Sequence, residues 1–519
     1  MSAPREPDRV PPFLLALALA VVAMLVWFGY GEVLGYQLLG HDTLPDILAS
    51  RVESAGDVPR LFTEPLMGGL FPIDYWRPVL NATFALDHAL WGLDPFGYQL
   101  TDLLLFAAAA LALFLLARRL LGPRALQGPL LASLLFVTFP MQAEIVPVPS
   151  RRNHLLCCLF TALALAALVR VPGRSGWRTF AAPGLLAFLA MGSNEIALSL
   201  PALFFLVALL LDEPGRAVAA RLRTAVVATL PAVVALFLAL LGRWSVLGGL
   251  GGPHPPRVAN LAKLPDVVAG VLLSQPGLES SLAWSVLLAV AALGGLLLVA
   301  LPDRPGRGGD PVASAVTWRR TVLAGLAWTL IVGLLIASVG RLRPWYTIHP
   351  AAGLALAAGG LAQGAWLRFG PEARAREQGR PLALRALGGL VTGALMALFA
   401  IHFVVSPLSR STEQWERASR RMEVFLADLE ARLPEAADGT TLRSLPMPVR
   451  ERPAPRRPGA PEASRVQAPA ILGPLSIPAW VRLRYPDRRI EVQLSNAKPQ
   501  PVPPDGVLLV VDVDAEAER

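Results

Sequence analysis

Apolar runs of about twenty residues, separated by short polar or arginine-bearing stretches, dominate the chain. The first begins at Pro11 and continues to about Tyr30 without a charge. Crossing the hydrocarbon core takes about 20 apolar residues. The runs at 11–31, 98–117, 128–143, 154–171, 179–193, 196–211, 222–241, 282–301, 321–339, 347–367 and 386–405 therefore predict about eleven transmembrane helices. Two of them, 128–143 and 179–193, are short and predict helices that tilt little or stop below the far interface. Between the first two runs lies a long loop, 32–97. Its segments LPDILASRV and RPVLNATFALDHALWGL have helical apolar spacing. They predict amphipathic helices at the interface, with Phe62, Phe71, Trp76, Phe84 and Trp91 at headgroup depth. A second loop, 242–281, has a Gly/Pro-rich tip (GGLGGPHPP) and then an amphipathic stretch.

Beyond residue 405 the pattern changes. Within 406–445, residues 411–433 read as an amphipathic helix with Ser411 or Thr412 as its cap. Residues 446–470 are rich in Pro, Arg and Ala and read as a linker. In 471–519, WVRLRY, RIEVQLS and VLLVVDVD alternate or run apolar with β-branched residues, which predicts a small sheet. The expected architecture is an all-α polytopic membrane domain over 11–405, followed by a small C-terminal α+β segment. There is no internal repeat, and no inverted pair of Gly/Pro-broken helices of the kind transporters use.

Composition agrees. Of 519 residues, 54% are apolar and 16% charged, where a soluble domain carries about 25% charge. A pI of 10.3 would suit a nucleic-acid binder, but the arginines sit in short clusters between apolar runs, not in one patch. With the N-terminal residues 1–10 inside, the cytoplasmic connections hold Arg118, Arg119 and Arg124; Arg170, Arg174 and Arg178; Arg216, Arg221 and Arg223; Arg304, Arg307, Arg319 and Arg320; and Arg368, Arg374, Arg376, Arg380 and Arg385. The first loop is acidic and falls outside, as does the C-terminal segment. The first run is longer than a signal-peptide core and lacks an A-x-A cleavage site, so it reads as a retained helix. Cys157 and Cys158 are adjacent and make neither a disulfide framework nor a metal site.

Polar residues at the outer helix ends are the candidates for chemistry. Asp42 and Asp46, four apart in GHDTLPDI, share one face of a helix. They fit proton abstraction from a hydroxyl, a divalent-cation site, or simple helix capping. Arg77, between interface aromatics, fits a bidentate phosphate grip or a snorkelling role. Glu144 shares a hairpin with Arg151, Arg152, Asn153 and His154, an arrangement that binds phosphate or neutralises itself. Asn194 and Glu195 occupy a hairpin of almost no length, where a carboxylate caps a helix, pairs with an arginine or faces a cavity. Arg341 and Arg343 run against the positive-inside bias beside Tyr346 and His349, which points to an anionic ligand. No Gly-rich phosphate loop, CxxC or HExxH occurs. Asn81-Ala-Thr fits a glycosylation sequon, a triplet that arises often by chance.

Four stretches in order carry a resemblance: GHDTLPDI, YWRPVLNATFALDHALWGLDPFGYQLTDLLLF, FPMQAEIVPVPSRRNHLL and GSNEIALSLPALFFL. Together they resemble the GT-C superfamily of membrane glycosyltransferases, in the branch of the protein O-mannosyltransferases, aminoarabinose transferases and transmembrane-and-TPR mannosyltransferases. The likeness covers residues 11–210 well and 320–370 weakly. It implies sugar transfer from a polyprenyl-phosphate donor to a hydroxyl acceptor, protein or glycan, on the extracytoplasmic face. It implies Asp42 as the acid that activates the acceptor, and Arg77, Glu144, Arg151 or Arg152, and Glu195 on the donor-phosphate side. A divalent cation, with Asp42, Glu144 and Glu195 as ligands, is the cofactor to test. The sequence departs from the family at His41-Asp42, where two adjacent acids are common, at Phe139-Pro140 for His-Pro, and at Asn194-Glu195 for Lys-Glu. No TPR array follows. These departures leave two alternatives, a non-catalytic protein on the GT-C fold and a transporter or flippase of lipid-linked substrates. Ala-, Arg- and Pro-rich usage points to a bacterial inner membrane.

Overall fold

The computed structural model describes residues 10–69, 74–169, 178–212, 215–249, 256–272, 311–340, 343–369, 413–450, 469–497 and 500–512, with isolated positions between 292 and 299 and between 393 and 397. Along the chain the helices are α1 (Pro12–Tyr30), α2 (Thr43–Ala49), α3 (Arg60–Thr63), α4 (Pro78–Trp91), α5 (Pro95–Leu121), α6 (Gln127–Val137), α7 (Gln142–Ile145), α8 (Arg152–Leu168), α9 (Arg178–Met191), α10 (Leu200–Leu211), α11 (Val218–Leu247), α12 (Leu264–Leu272), α13 (Pro311–Val339), α14 (Ile348–Phe369), α15 (Glu413–Arg432) and α16 (Ser476–Arg484). Among the described residues four are long and apolar enough to cross a membrane: α1 with its extension to Gly35, α5, α11, and α13 from Thr317. The apolar helices α6 and α9, and α10 with its lead-in turn, are shorter. The chain is an integral membrane protein. The expected spans 282–301 and 386–405 lie largely outside the described residues, as do the tip of the second loop and the linker 451–468.

Side-chain size decides which helices sit inside. Small residues let α13 and α14 approach until their backbones nearly touch, a packing mode suited to lipid, where burial alone gives no drive. A Cβ at Gly325 would lie 2.5 Å from the Gly353 carbonyl oxygen, and one at Gly353 would lie 2.7 Å from the Gly325 carbonyl oxygen. Gly353→Leu should therefore push these helices apart. The expected cost is about 1–3 kcal/mol of overpacking, read as a lower thermal midpoint in detergent, with Gly353→Ala intermediate. Conversely, α1 and α11 turn large apolar groups outward, including Phe13, Phe28, Phe237 and Leu241, as a lipid-facing surface requires. Between these extremes α8 is buried on nearly every face, from Arg152 to Ala166.

The first loop folds back onto the bundle. Pro78 opens α4 at a position where its missing N–H costs nothing. Asp94 caps α5 by accepting from the Phe96 N–H at 3.0 Å. Phe62 and Trp91 are exposed, as interfacial aromatics would be, but Trp76 and Phe84 are not: they are 4% and 0% exposed. The Trp76 indole donates to the Phe62 carbonyl at 2.8 Å, and Phe84 faces Tyr98 of α5. This corrects the expectation of a peripheral aromatic belt for these two: Trp76 packs against Gly242 of α11, and Phe84 of α4 against Tyr98 of α5. Phe71 lies outside the described residues. Asn81 is buried and donates to the Leu61 carbonyl, which leaves the sequon inaccessible in the fold.

At the C-terminus, β1 (Thr441–Arg443), β2 (Ile490–Leu494) and β3 (Val507–Val511) form a parallel sheet in the order β1-β3-β2. The stretch WVRLRY, expected as a strand, is helical and belongs to α16. Six residues of alternation fit either period. Neighbours Trp480 and Val481 are both buried, which a one-sided helix face permits and a half-buried strand does not. This segment sits on the start of the first loop. Gly40 donates to the Ile471 carbonyl at 3.0 Å, Ser476 Oγ to the His41 carbonyl at 2.8 Å, and the Gln37 N–H to Ser419 Oγ at 2.9 Å.

Candidate functional site

The first loop places its acids through local turns. Gly40, at φ +109°, lets the chain reverse against the 148–150 turn. The Ser150 N–H then donates to Thr43 Oγ1 at 3.3 Å. This contact pins the start of α2, and with it Asp42, beside Arg151. The Asp46 N–H donates to the Asp42 carbonyl at 2.9 Å, so the two acids do stand one helical turn apart.

Their environments differ. Asp42 is exposed, yet protein packs densely around the opening it faces, and this loss of water raises its carboxyl above the usual range. The charges of His41, Arg77 and Arg151 pull the other way. Asp46 is 2% exposed and its Oδ1 has no hydrogen-bond partner. Burial, reinforced by the Asp42 charge, lifts it well above the ordinary carboxylate value against the pull of Arg77 and Arg152. His41, whose Nε2 lies 3.2 Å from the Val449 carbonyl oxygen, is pushed down by burial.

The sign of the Asp46 shift yields a stability test. The unfolded chain releases this proton near pH 4 while the folded chain holds it. Stability therefore falls as pH rises from about 4 toward the folded value. Asp46→Asn removes that loss. Its thermal midpoint should exceed the wild type's at pH 8 and converge with it near pH 4, measured by the same detergent melt.

Glu195 reaches the same end of the bundle from the α9–α10 hairpin. Asn194 caps the turn by accepting from the Ile196 N–H at 3.0 Å, which leaves the Glu195 carboxylate turned toward two arginines. Arg77 Nη2 meets Oε2 at 2.8 Å and Arg243 Nη1 meets Oε1 at 2.9 Å. The Arg77 guanidinium also stacks 4.4 Å over the Tyr75 ring. Arg243, at the end of α11, was not among the candidates. Its signal was an arginine in LALLGRWSVL, again on the side where arginines are disfavoured. It supplies a second cation to the Glu195 carboxylate.

Arg151 and Arg152, neighbours in sequence, diverge. Arg151 ion-pairs with Glu144 at 2.9 Å and lies 3.9 Å over Trp345. Arg152 turns inward, is 0% exposed, and bridges Asp87 on α4 at 2.6 Å and Asp102 on α5 at 2.5 Å. It also donates to the Tyr98 carbonyl at 3.1 Å. Its hydrogen bonds tie three helices together. Neither Asp87 nor Asp102 could be assigned this role from sequence, because their partner is 50 residues or more away.

The α13–α14 hairpin forms a further wall. Arg343 lies 5.8 Å from Trp345, Trp345 packs edge-on to Tyr346 at 6.2 Å, and Tyr346 faces His154 at 5.6 Å. Arg341 lies outside the described residues. His349 engages both ring nitrogens, Nε2 with His154 Nδ1 at 2.9 Å and Nδ1 with Cys158 Sγ at 3.3 Å. Asp42, Asp46, Arg77, Glu144, Arg151, Glu195 and Arg343 thus gather at one end of the bundle, linked by contacts and by charges that influence one another. Among the described residues no group of three His, Cys, Asp or Glu side chains could hold a metal ion. Glu144 and Glu195, offered as ligands with Asp42, are instead committed to arginines. A separate groove of about 540 Å³, lined by Arg216, Arg223 and Thr224, opens near the other end of α11. That is roughly 30 Å from Arg243 by helical rise.

An arrangement of one exposed acid among arginines, above a wall of aromatic rings, suits transfer chemistry on an anionic substrate. No family model matches the chain. Two curated relatives each match somewhat under a quarter of it. The protein O-mannosyl-transferase Tmtc1 of Drosophila melanogaster is 32% identical over 124 residues, 24% of this chain and 14% of the relative. The protein O-mannosyl-transferase TMTC2 of Mus musculus is 30% identical over 121 residues, 22% of this chain and 14% of that relative. The match thus spans about one seventh of the length of either relative. Among solved structures, ArnT from Cupriavidus metallidurans bound to undecaprenyl phosphate is 14% identical with a TM-score of 0.45, covering 84% of this chain and 83% of ArnT. The Archaeoglobus fulgidus oligosaccharyltransferase in its apo form is 13% identical with a TM-score of 0.42, covering 79% and 58%.

Proposed function

We propose that this protein is a glycosyltransferase that moves a sugar from a polyprenyl-phosphate donor to a hydroxyl on a protein or glycan, on the extracytoplasmic face of a bacterial inner membrane. The observation that supports the reading is that Asp42 stands within electrostatic reach of Arg77 and Arg151, which Glu195 and Glu144 hold at that end of the bundle. In this reading Asp42 takes the proton of the acceptor hydroxyl as its oxygen bonds to the anomeric carbon. The bond from that carbon to the phosphate oxygen breaks, and polyprenyl phosphate leaves with both electrons. Deeper burial raises Asp46 further than Asp42, which makes Asp42 the more readily ionised of the pair. Arg77, Arg151 and Arg343 meet the negative charge that grows on the leaving phosphate. Arg243 and Glu195 hold Arg77 in place, and Glu144 holds Arg151. A lipid phosphate is an activated leaving group, so no nucleotide site is required.

The test is transfer in vesicles supplied with a radiolabelled polyprenyl-phosphate sugar and a hydroxyl acceptor, followed by release of polyprenyl phosphate. Binding of the donor with no release under any acceptor would overturn the catalytic reading and favour a binding protein on this fold.

A further inference from the structure

Two histidines and a thiol lie at the edge of the arginine cluster, and the proposed reaction leaves them unused. They form a chain: Cys158 Sγ at 3.3 Å from His349 Nδ1, and His349 Nε2 at 2.9 Å from His154 Nδ1. All three side chains are at most 3% exposed. They come from two helices, α8 and α14, so only the tertiary fold assembles them.

The proton inventory allows the chain two directions, and the one with the thiol as donor leaves His154 with a proton to give. A neutral imidazole has one N–H and one bare nitrogen. A thiol hydrogen directed at His349 Nδ1 leaves that ring's proton on Nε2, where it is donated to His154 Nδ1. The proton of His154 then resides on Nε2, the nitrogen turned away from His349. His154 is in ring contact with Tyr346. Tyr346 packs on Trp345, which carries Arg151. Both Arg77 and Arg151 act electrostatically on His154.

From this geometry we infer that His154 is a neutral hydrogen-bond donor to the anionic group held by Arg77 and Arg151, with His349 and Cys158 as positioning residues that fix its tautomer. Under the proposed function, on which this inference rests, the group is a phosphoryl oxygen of the lipid donor. A neutral donor suits this place, because it adds a hydrogen bond without adding to the repulsion among the arginines.

The experiment uses the full chain in nanodiscs, with undecaprenyl phosphate as the probe and binding measured by titration. Losing a hydrogen bond to a charged partner should weaken binding by about 10- to 100-fold in His154→Ala. His349→Ala should weaken it about 3- to 10-fold, by freeing the tautomer at the cost of part of one such bond. His349→Gln, which can still donate to His154 Nδ1, should recover most of that loss. The chain has six histidines, so ¹⁵N-histidine labelling gives a second readout. The His154 Nε2 resonance should shift with the probe, and should move in Cys158→Ala before any probe is added. A wild type that fails to bind the probe overturns the donor reading, and this inference with it. A wild type that binds, with His154→Ala and His349→Ala binding equally well, overturns the inference alone. Equal loss in His349→Ala and His349→Gln, with no tautomer change, assigns the histidines to packing and also overturns it. Thermal midpoints of each variant separate loss of binding from loss of fold.

Discussion

Asp42→Asn is expected to lower sugar transfer by about 10²- to 10⁴-fold, the usual contribution of a positioned general base, while donor binding stays within about twofold. The substitution keeps shape and hydrogen-bonding capacity and removes only basicity. Asp42 is exposed at the rim, so the fold should not suffer. The pH profile provides a signature. The protein packed around the opening takes water from the Asp42 carboxyl and raises it above the usual carboxylate range, and only the deprotonated form accepts a proton. Activity should therefore rise with pH through a value higher than that of an ordinary aspartate, then level off. The Asn variant should show no such rise. Full activity in Asp42→Asn vesicles would remove this residue from the base role, whatever becomes of the donor site.

Arg152→Ala should damage the fold, not the chemistry. Arg152 is fully buried and answers two carboxylates, Asp87 and Asp102. Removing it leaves two acids without their cation inside the bundle, a loss of about 3–5 kcal/mol when one partner of a buried pair is deleted. The expected result is poor yield and an early, broad melt. Arg151→Ala provides the contrast, because its guanidinium lies beside the opening on Trp345. It should lose donor affinity; because it also strands the buried Glu144 carboxylate, the contrast in stability is read in Arg151→Ala combined with Glu144→Gln, which should melt closer to normal than Arg152→Ala. The reverse pattern, a stable Arg152→Ala protein with weakened donor binding, would exchange the two assignments. The neighbouring arginines look equivalent in sequence, and only the direction each takes from the start of α8 tells them apart.

The same limit applies across the site. Spacing of four placed Asp42 and Asp46 on one face, and the structure keeps that relation. It could not say that one would stay open and the other be sealed, since that depends on the 148–150 turn and the C-terminal segment packing around them. Arginines at outer helix ends stood out against the positive-inside bias, a rule that operates locally. Arg243 obeys the same logic but sat at the edge of an apolar run and was passed over. Asp87 and Asp102 have no common role until the fold brings Arg152 between them. Cys158 meets His349 only because α8 and α14 come together there. The WVRLRY stretch was short enough to satisfy two periods, and packing chose the helix.

What the sequence determined by itself was the medium and the alternation. Runs of about twenty apolar residues have no stable place but a bilayer, and within it a backbone must form helices. Charge bias added which helix ends share a side. Tertiary structure decided the rest: which arginine binds inward, which acid keeps its proton, and which side chains meet across helices. Those outcomes depend on desolvation and partner geometry, and both are set by residues far apart in the chain.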